Sequence, residues 1–106
     1  MKLFITTCLK EYQDDVSKIF KQANISVFSV TDITGFKEDI ANNLLEDWFA
    51  SGDEKFDSLL LFSFTSNANA EVGIDLINNY NKKLEENFPV RAFIVPVDKS
   101  TSYKKS

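Results

Sequence analysis

The spacing of apolar residues along this chain alternates between the pattern of a β-strand and the pattern of an α-helix. An apolar, β-branched run over residues 3–9 predicts a first strand. From Glu11 to Ala23 the apolar residues recur at helical spacing. Strand-like residues return over 26–33, and Gly35 ends them. This part of the chain therefore predicts strand, helix and strand.

The remaining part repeats the alternation. Residues 56–65 are almost continuously apolar and predict a strand, after which Ser66 or Asn67 can cap a helix. Pro89 stops that helix, and residues 90–97 predict the last strand. The expected inner stripe of this second helix consists of Val72, Leu76, Ile77, Tyr80 and Leu84.

This order predicts an α+β fold, a ferredoxin-like βαββαβ sandwich with a four-stranded antiparallel sheet and two helices on one face. A length of 106 residues predicts one domain, which we place at residues 1–99, followed by a loose polar tail over 100–106. The apolar start is interpreted as a strand and not as a signal peptide. The run is short, and no small-residue cleavage site precedes Lys10 and Glu11.

Composition excludes several classes of function. The chain has no histidine, so it lacks the commonest general base and the commonest metal ligand, and we expect no enzyme and no metal site. Cys8 is the only cysteine, which rules out a disulfide within the chain and suits the reducing cytoplasm. A net charge of −4 disfavours nucleic acid as a partner, and the charges interrupt any span that could insert into a membrane.

The sheet is predicted to be apolar on both faces. Two helices cover only one face of a four-stranded sheet, yet residues 59–62 and 93–95 are apolar at every position. An exposed apolar face of that size is costly, so something is expected to cover it. Another copy of the chain is the simplest cover, and the segment between strands two and three is the alternative.

That segment, residues 36–57, is predicted to be an amphipathic, acidic insertion with its own helix. From Glu38 to Asp57 it carries seven carboxylates against one lysine, Lys55, an excess of six negative charges. Two interpretations stay open: a helix packed on its own sheet, or an arm that docks a partner. The anchors of such an arm would be Leu44, Leu45, Trp48 and Phe49.

Two stretches are more specific than the fold. Residues 30–36, Val-Thr-Asp-Ile-Thr-Gly-Phe, resemble the Val-Thr-Glu-Val-Lys-Gly-Phe segment of the nitrogen-regulatory P-II signalling proteins. Residues 91–98, Arg-Ala-Phe-Ile-Val-Pro-Val-Asp, resemble that family's last core strand, Lys-Ile-Phe-Val-x-Pro-Val-Glu. The resemblance covers residues 1–99. The CutA-type divalent-cation-tolerance family has a related fold, but these two segments favour P-II.

The resemblance implies a cytoplasmic homotrimer whose sheets pack together and whose subunit clefts bind AMP, ADP or ATP. It also implies that the long loop contacts a membrane transporter or a metabolic enzyme, in nitrogen regulation or a similar pathway. Ser29, Gly35 and Phe36 would lie beside the nucleotide cleft, and Arg91 would occupy the position of a phosphate-binding lysine.

Departures from the family pattern argue against tight binding of ATP. Residues 87–90, Asn-Phe-Pro-Val, replace the family's glycine-rich phosphate loop, and Pro89 has no N–H to offer a phosphate. The excess of carboxylates would also repel a triphosphate. We therefore expect a P-II-like regulator that senses a small molecule; a ligand-independent adaptor or a metal- or anion-binding protein of the CutA type is the alternative.

Overall fold

The structure is a computed structural model, and it describes residues 1–36, 55–84 and 88–101. In chain order the described elements are β1 (Lys2–Leu9), a 3-10 turn (Lys10–Tyr12), α1 (Gln13–Gln22), β2 (Ser29–Phe36), β3 (Lys55–Thr65), α2 (Asn67–Lys83) and β4 (Arg91–Pro96). The four strands form one sheet in the order β2-β3-β1-β4, and every neighbouring pair is antiparallel. The predicted α+β class, with a four-stranded antiparallel sheet and two helices, is confirmed, and it is compatible with a ferredoxin-like fold.

Helix α1 buries an apolar stripe and ends at a defined backbone turn. Val16, Ile19 and Phe20 are buried, as the helical spacing predicts. After the cap residue Ala23, Asn24 adopts the left-handed conformation with a φ of 62°. Its N–H donates to the carbonyl of Lys21, and the N–H of Ile25 donates to the carbonyl of Phe20. These two bonds form a Schellman motif, in which an asparagine takes the position usually held by glycine.

Helix α2 begins at a side-chain cap. The hydroxyl of Ser66 accepts a hydrogen bond from the backbone N–H of Asn69 at 3.1 Å, which satisfies one of the free donors of the first turn. The buried residues of this helix are Ala70, Gly73 and Ile77, three and four positions apart. Placing Val72 on the inner stripe was wrong: its side chain is 44% exposed. It lies one position away from the buried stripe and therefore on another side of the helix.

The core lies on one face of the sheet. Residues opposite each other in an antiparallel sheet share a face, and Phe4 pairs with Ser63 on β3 and with Ile94 on β4. We call this side the Phe4 face. The ring of Phe4 contacts Phe20 of α1, with 5.2 Å between the ring centroids, and lies against Gly73 of α2. The fully buried members of the Phe4 face include Phe4, Cys8 and Leu61.

Strand β2 differs from the predicted strand at both ends. It begins at Ser29, three residues later than position 26, and it continues through Gly35 to Phe36. The backbone carbonyl of Val27 accepts a hydrogen bond from the hydroxyl of Ser63, so a side chain replaces the ladder there. Gly35 pairs with Phe56 of β3, so the strand passes through the glycine that was expected to end it. The greater part of the predicted insertion, including residues 37–54, lies outside the described residues.

Candidate functional site

The second face of the sheet is apolar. It carries the residues whose parity is opposite to that of Phe4, among them Phe64, and we call it the Phe64 face. Phe64 is 58% exposed and Val95 is 41% exposed, while Leu60 and Phe62 are half-buried. The apolar members among the described residues include Leu3, Ile5, Ile33, Leu60, Phe62, Phe64, Phe93 and Val95. Large exposed apolar patches of this kind mark sites of protein association.

A polar group of side chains lies at one end of the Phe64 face. Thr7 and Ser58 are each only 1% exposed, and Arg91 lies directly opposite Thr7 in the ladder between β1 and β4. Among the described residues, the buried hydroxyl of Ser58 and the buried Nε of Arg91 have no hydrogen-bond partner. Buried polar atoms are normally hydrogen-bonded, so the missing partners of these two groups lie outside the described residues. A guanidinium beside hydroxyl groups is suited to a carboxylate or a phosphate.

The end of α2 positions Arg91. The side-chain amide of Asn81 donates to the carbonyl of Val90 at 2.9 Å, and its oxygen accepts from the N–H of Val90 at 2.8 Å. This pair of hydrogen bonds between the Asn81 side chain and the Val90 backbone ties the last turn of α2 to the start of β4. A groove of about 240 Å³ lies beside it, lined by Ile74, Ile77, Asn78 and Asn81 of the helix and by residues 90–93.

The structure places the predicted ligand-binding residues on opposite edges of the sheet. Ser29 begins β2, where it is exposed and borders a cavity of about 260 Å³ with Val27 and Phe64. Gly35 and Phe36 are at the other end of β2, paired with Phe56 and Lys55. Arg91 begins β4, and two strands separate it from β2. Within one chain these residues therefore do not form a single site.

The predicted partner-binding residues Leu44, Leu45, Trp48 and Phe49 lie outside the described residues.

Two residues of the site were missed by the sequence interpretation. Ser58 belongs to an apolar strand whose pattern does not single it out. Asn81 is a polar residue of a helix, and its spacing of nine positions before Val90 carries no recognised signal.

Two titratable groups of the core have shifted pKa values. Burial raises the pKa of the Cys8 thiol from 9.0 to about 12, which keeps the sulfur protonated and unreactive. Burial, and then the hydrogen bond that its hydroxyl donates to Asp15 Oδ2 at 2.8 Å, raise the pKa of Tyr80 above its ordinary value. Neither group is thereby prepared for acid–base chemistry near neutral pH.

Comparison with known proteins does not assign the chain to a family. The sequence matches no model of a protein family and no curated protein. Within the part of the chain that the structure describes, no three metal-ligating side chains come together at a point that could hold an ion. None of the helices in that part is long and apolar enough to cross a bilayer.

Proposed function

We propose that this chain is a small cytoplasmic P-II-like regulator that assembles into a homotrimer and responds to a small molecule. Its fold would be the ferredoxin-like βαββαβ sandwich with both helices on the Phe4 face, since Phe20 of α1 and Gly73 of α2 both contact Phe4. The observation that carries the proposal is the apolar Phe64 face. It belongs to the same sheet in which residues 30–36 and 91–98 resemble P-II segments.

Burial of the Phe64 face would drive assembly. Removing apolar surface from water contributes about 25 cal/mol per Å², so covering several hundred Å² of this face amounts to many kcal/mol. Three copies packed around an axis through this face would bury Phe64 and Val95, which one chain leaves exposed.

Assembly would also complete the ligand site. Ser29 and Gly35 on β2 are too far from Arg91 on β4 to hold one molecule within a chain. A neighbouring subunit packed on the Phe64 face could bring its Arg91 close to β2, so that a ligand lies between subunits. The guanidinium of Arg91, whose Nε has no hydrogen-bond partner among the described residues, favours an anionic ligand, of which AMP or ADP is the form that the resemblance suggests. The ligand would control how residues 36–57 contact a transporter or an enzyme.

The mass of the particle in solution tests the assembly. We expect multi-angle light scattering to give three times the chain mass for the native protein and a smaller particle for Phe64→Glu. Val72→Glu is the matched control, because Val72 is 44% exposed on α2, which packs on the Phe4 face. A native protein of monomeric mass would refute the trimer.

A thermal-shift series tests the ligand. A nucleotide at about 100 times its dissociation constant should add about 2.7 kcal/mol to the stability of the folded protein. We expect a higher Tm with AMP or ADP, lost in Arg91→Ala and retained in Lys99→Ala, which removes a charge from an exposed position. If no nucleotide or divalent ion shifts Tm, a ligand-independent adaptor becomes the better description.

A further inference from the structure

Within the described residues, β4 is an edge strand with one side unpaired. Its described pairing is with β1 alone, because β4 ends the order β2-β3-β1-β4. In an antiparallel ladder, successive residues direct both their N–H and C=O groups alternately toward one neighbour and away from it. Half of the residues of β4 therefore direct their backbone groups away from β1.

The contacts of Asn81 identify which residues these are. Both backbone groups of Val90 bond the side chain of Asn81, so they point away from β1. By alternation the N–H and C=O of Ala92 and Ile94 also point to the free side. Pro96 has the same parity, so an N–H at this position would point away from β1. Its absence therefore removes no hydrogen bond between β4 and β1. Between the Asn81 contact at Val90 and the proline at position 96, two residues of β4, Ala92 and Ile94, therefore direct unpaired backbone groups to the outer side of the described sheet.

A groove runs along this free side. Ile74 and Ile77 of α2 line it at the level of Ala92, together with Asn78, and its volume is about 240 Å³. An added strand would direct alternate side chains into this space, since side chains alternate across a strand. The groove is therefore suited to one apolar side chain of an extended segment.

The two edges of the sheet differ in their protection. On β2 the outward residue Asp32 carries a charge and lies 3.6 Å from Lys10 Nζ, and a charged edge resists pairing with another strand. The open residues of β4, Ala92 and Ile94, are uncharged, and their charged neighbour Arg91 has the opposite parity, which places it on the Phe64 face. An unprotected edge next to a helix is the arrangement in which strand addition recognises a peptide.

Charge along α2 gives the added strand a direction. Asn81 meets Val90 at one end of the groove, while Gly73 meets Phe4, the partner of Ile94, at the other. The exposed Lys82 therefore lies at the Val90 end and Glu71 at the Ile94 end. A segment antiparallel to β4 would direct its carboxyl end toward Lys82, where an acidic residue is favoured.

We propose that the free edge of β4 binds an extended segment of a partner protein as a fifth, antiparallel strand, with an apolar side chain against Ile74 and Ile77 and an acidic residue near Lys82. This surface is the backbone edge of β4 and is distinct from the Phe64 face. The proposal therefore does not depend on the function proposed above.

Amide hydrogen exchange in the free protein tests the open edge. We expect the N–H groups of Ala92 and Ile94 to exchange rapidly and those of Arg91, Phe93 and Val95, which bond β1, to exchange slowly. The pattern should not change with protein concentration. Slow exchange at Ala92 and Ile94 would overturn the proposal, since it would mean that another copy or another segment of this chain already occupies the edge.

Binding is tested with a synthetic peptide of about eight residues that alternates valine and threonine and ends in aspartate. We expect a Kd of about 100 μM or lower and slow exchange at Ala92 and Ile94 in the complex. A peptide N-methylated at alternate residues, which removes the N–H groups of one edge, should bind about tenfold more weakly or worse. Replacing aspartate by lysine should also weaken binding.

Two variants of the protein separate edge pairing from loss of fold. Ala92→Pro removes one outward N–H, and Ile74→Glu fills the groove with a charge without changing the strand; each should weaken peptide binding at least about tenfold. Val72→Glu is the matched control, because it adds the same charge at an exposed position of the same helix. Binding that is unaffected by Ile74→Glu, or no peptide-induced protection at Ala92 and Ile94 in the native protein, would overturn the proposal.

Discussion

Gly73 allows helix α2 to lie directly on the ring of Phe4. A Cβ at this position would be 2.7 Å from Phe4 Cζ and 3.0 Å from Cε2, closer than such atoms approach. Because Phe4 is fully buried and packs against Phe20, its ring has little room to move. We expect Gly73→Ala to lower the free energy of unfolding by about 1 kcal/mol, since overpacking outweighs the gain in helix propensity.

Urea unfolding in two backgrounds measures this contact. In Phe4→Leu the side chain is shorter, so adding Gly73→Ala should cost less than it does in the native background. Such non-additivity is the signature of residues in contact. Equal costs in the two backgrounds would mean that Phe4 is not what excludes a side chain at position 73.

The thiol of Cys8 is protected by its burial. Because burial raises its pKa to about 12, we expect no reaction with a thiol reagent until the chain unfolds. A folded-state pKa above the unfolded value of 9.0 also means that the unfolded chain loses its proton first. The contribution of Cys8 is therefore complete below pH 9 and is lost as pH rises from 9 to about 12.

Unfolding measured over this pH range in the native protein and in Cys8→Ala isolates the thiol. The native protein should lose stability more steeply, because Cys8→Ala removes the thiol and, with it, one of the charges that raise the pKa of Tyr80. Parallel curves, or rapid labelling of Cys8 under native conditions, would contradict the buried position of the sulfur.

At the scale of one element, α2 depends on its cap and α1 does not. Ser66 accepts the N–H of Asn69, whereas α1 follows a 3-10 turn and has no side-chain cap bond. We expect Ser66→Ala to lower the free energy of unfolding by about 1 kcal/mol, and Ser66→Asp, which keeps an acceptor, to change it far less. Chemical denaturation of the three proteins measures the difference; equal losses for both variants would mean that the capping bond is not what matters at this position.

Tertiary contacts decided the element boundaries that sequence patterns placed wrongly. Residues 26–28 are strand-like in composition, but the Ser63 hydroxyl bonds the Val27 carbonyl, and β2 starts only at Ser29. Val72 is apolar yet exposed, because the buried stripe of α2 is set by Ala70, Gly73 and Ile77. Small residues such as Ala70 and Gly73 can be assigned to the buried face of a helix only when the surface that packs against the helix is known.

At the scale of the whole molecule, the proposed trimer links stability to concentration. If folding and assembly are coupled through the Phe64 face, Tm should rise with protein concentration, because association draws chains into the folded state. Calorimetry over about a hundredfold range of concentration measures this effect, and Phe64→Glu should reduce it. A Tm that stays constant in the native protein would mean that assembly contributes nothing to its stability.

The sequence by itself determined the order of strands and helices, the α+β class and the apolar character of both strand parities. These properties follow from periodicity over neighbouring residues, which local geometry dictates. Only the tertiary structure decided that Arg91 and Ser29 lie on opposite edges of the sheet, and that Asn81 ties the end of α2 to the start of β4, the edge strand of the described sheet. Register and edge position arise from pairing between residues far apart in the chain, so no local pattern encodes them.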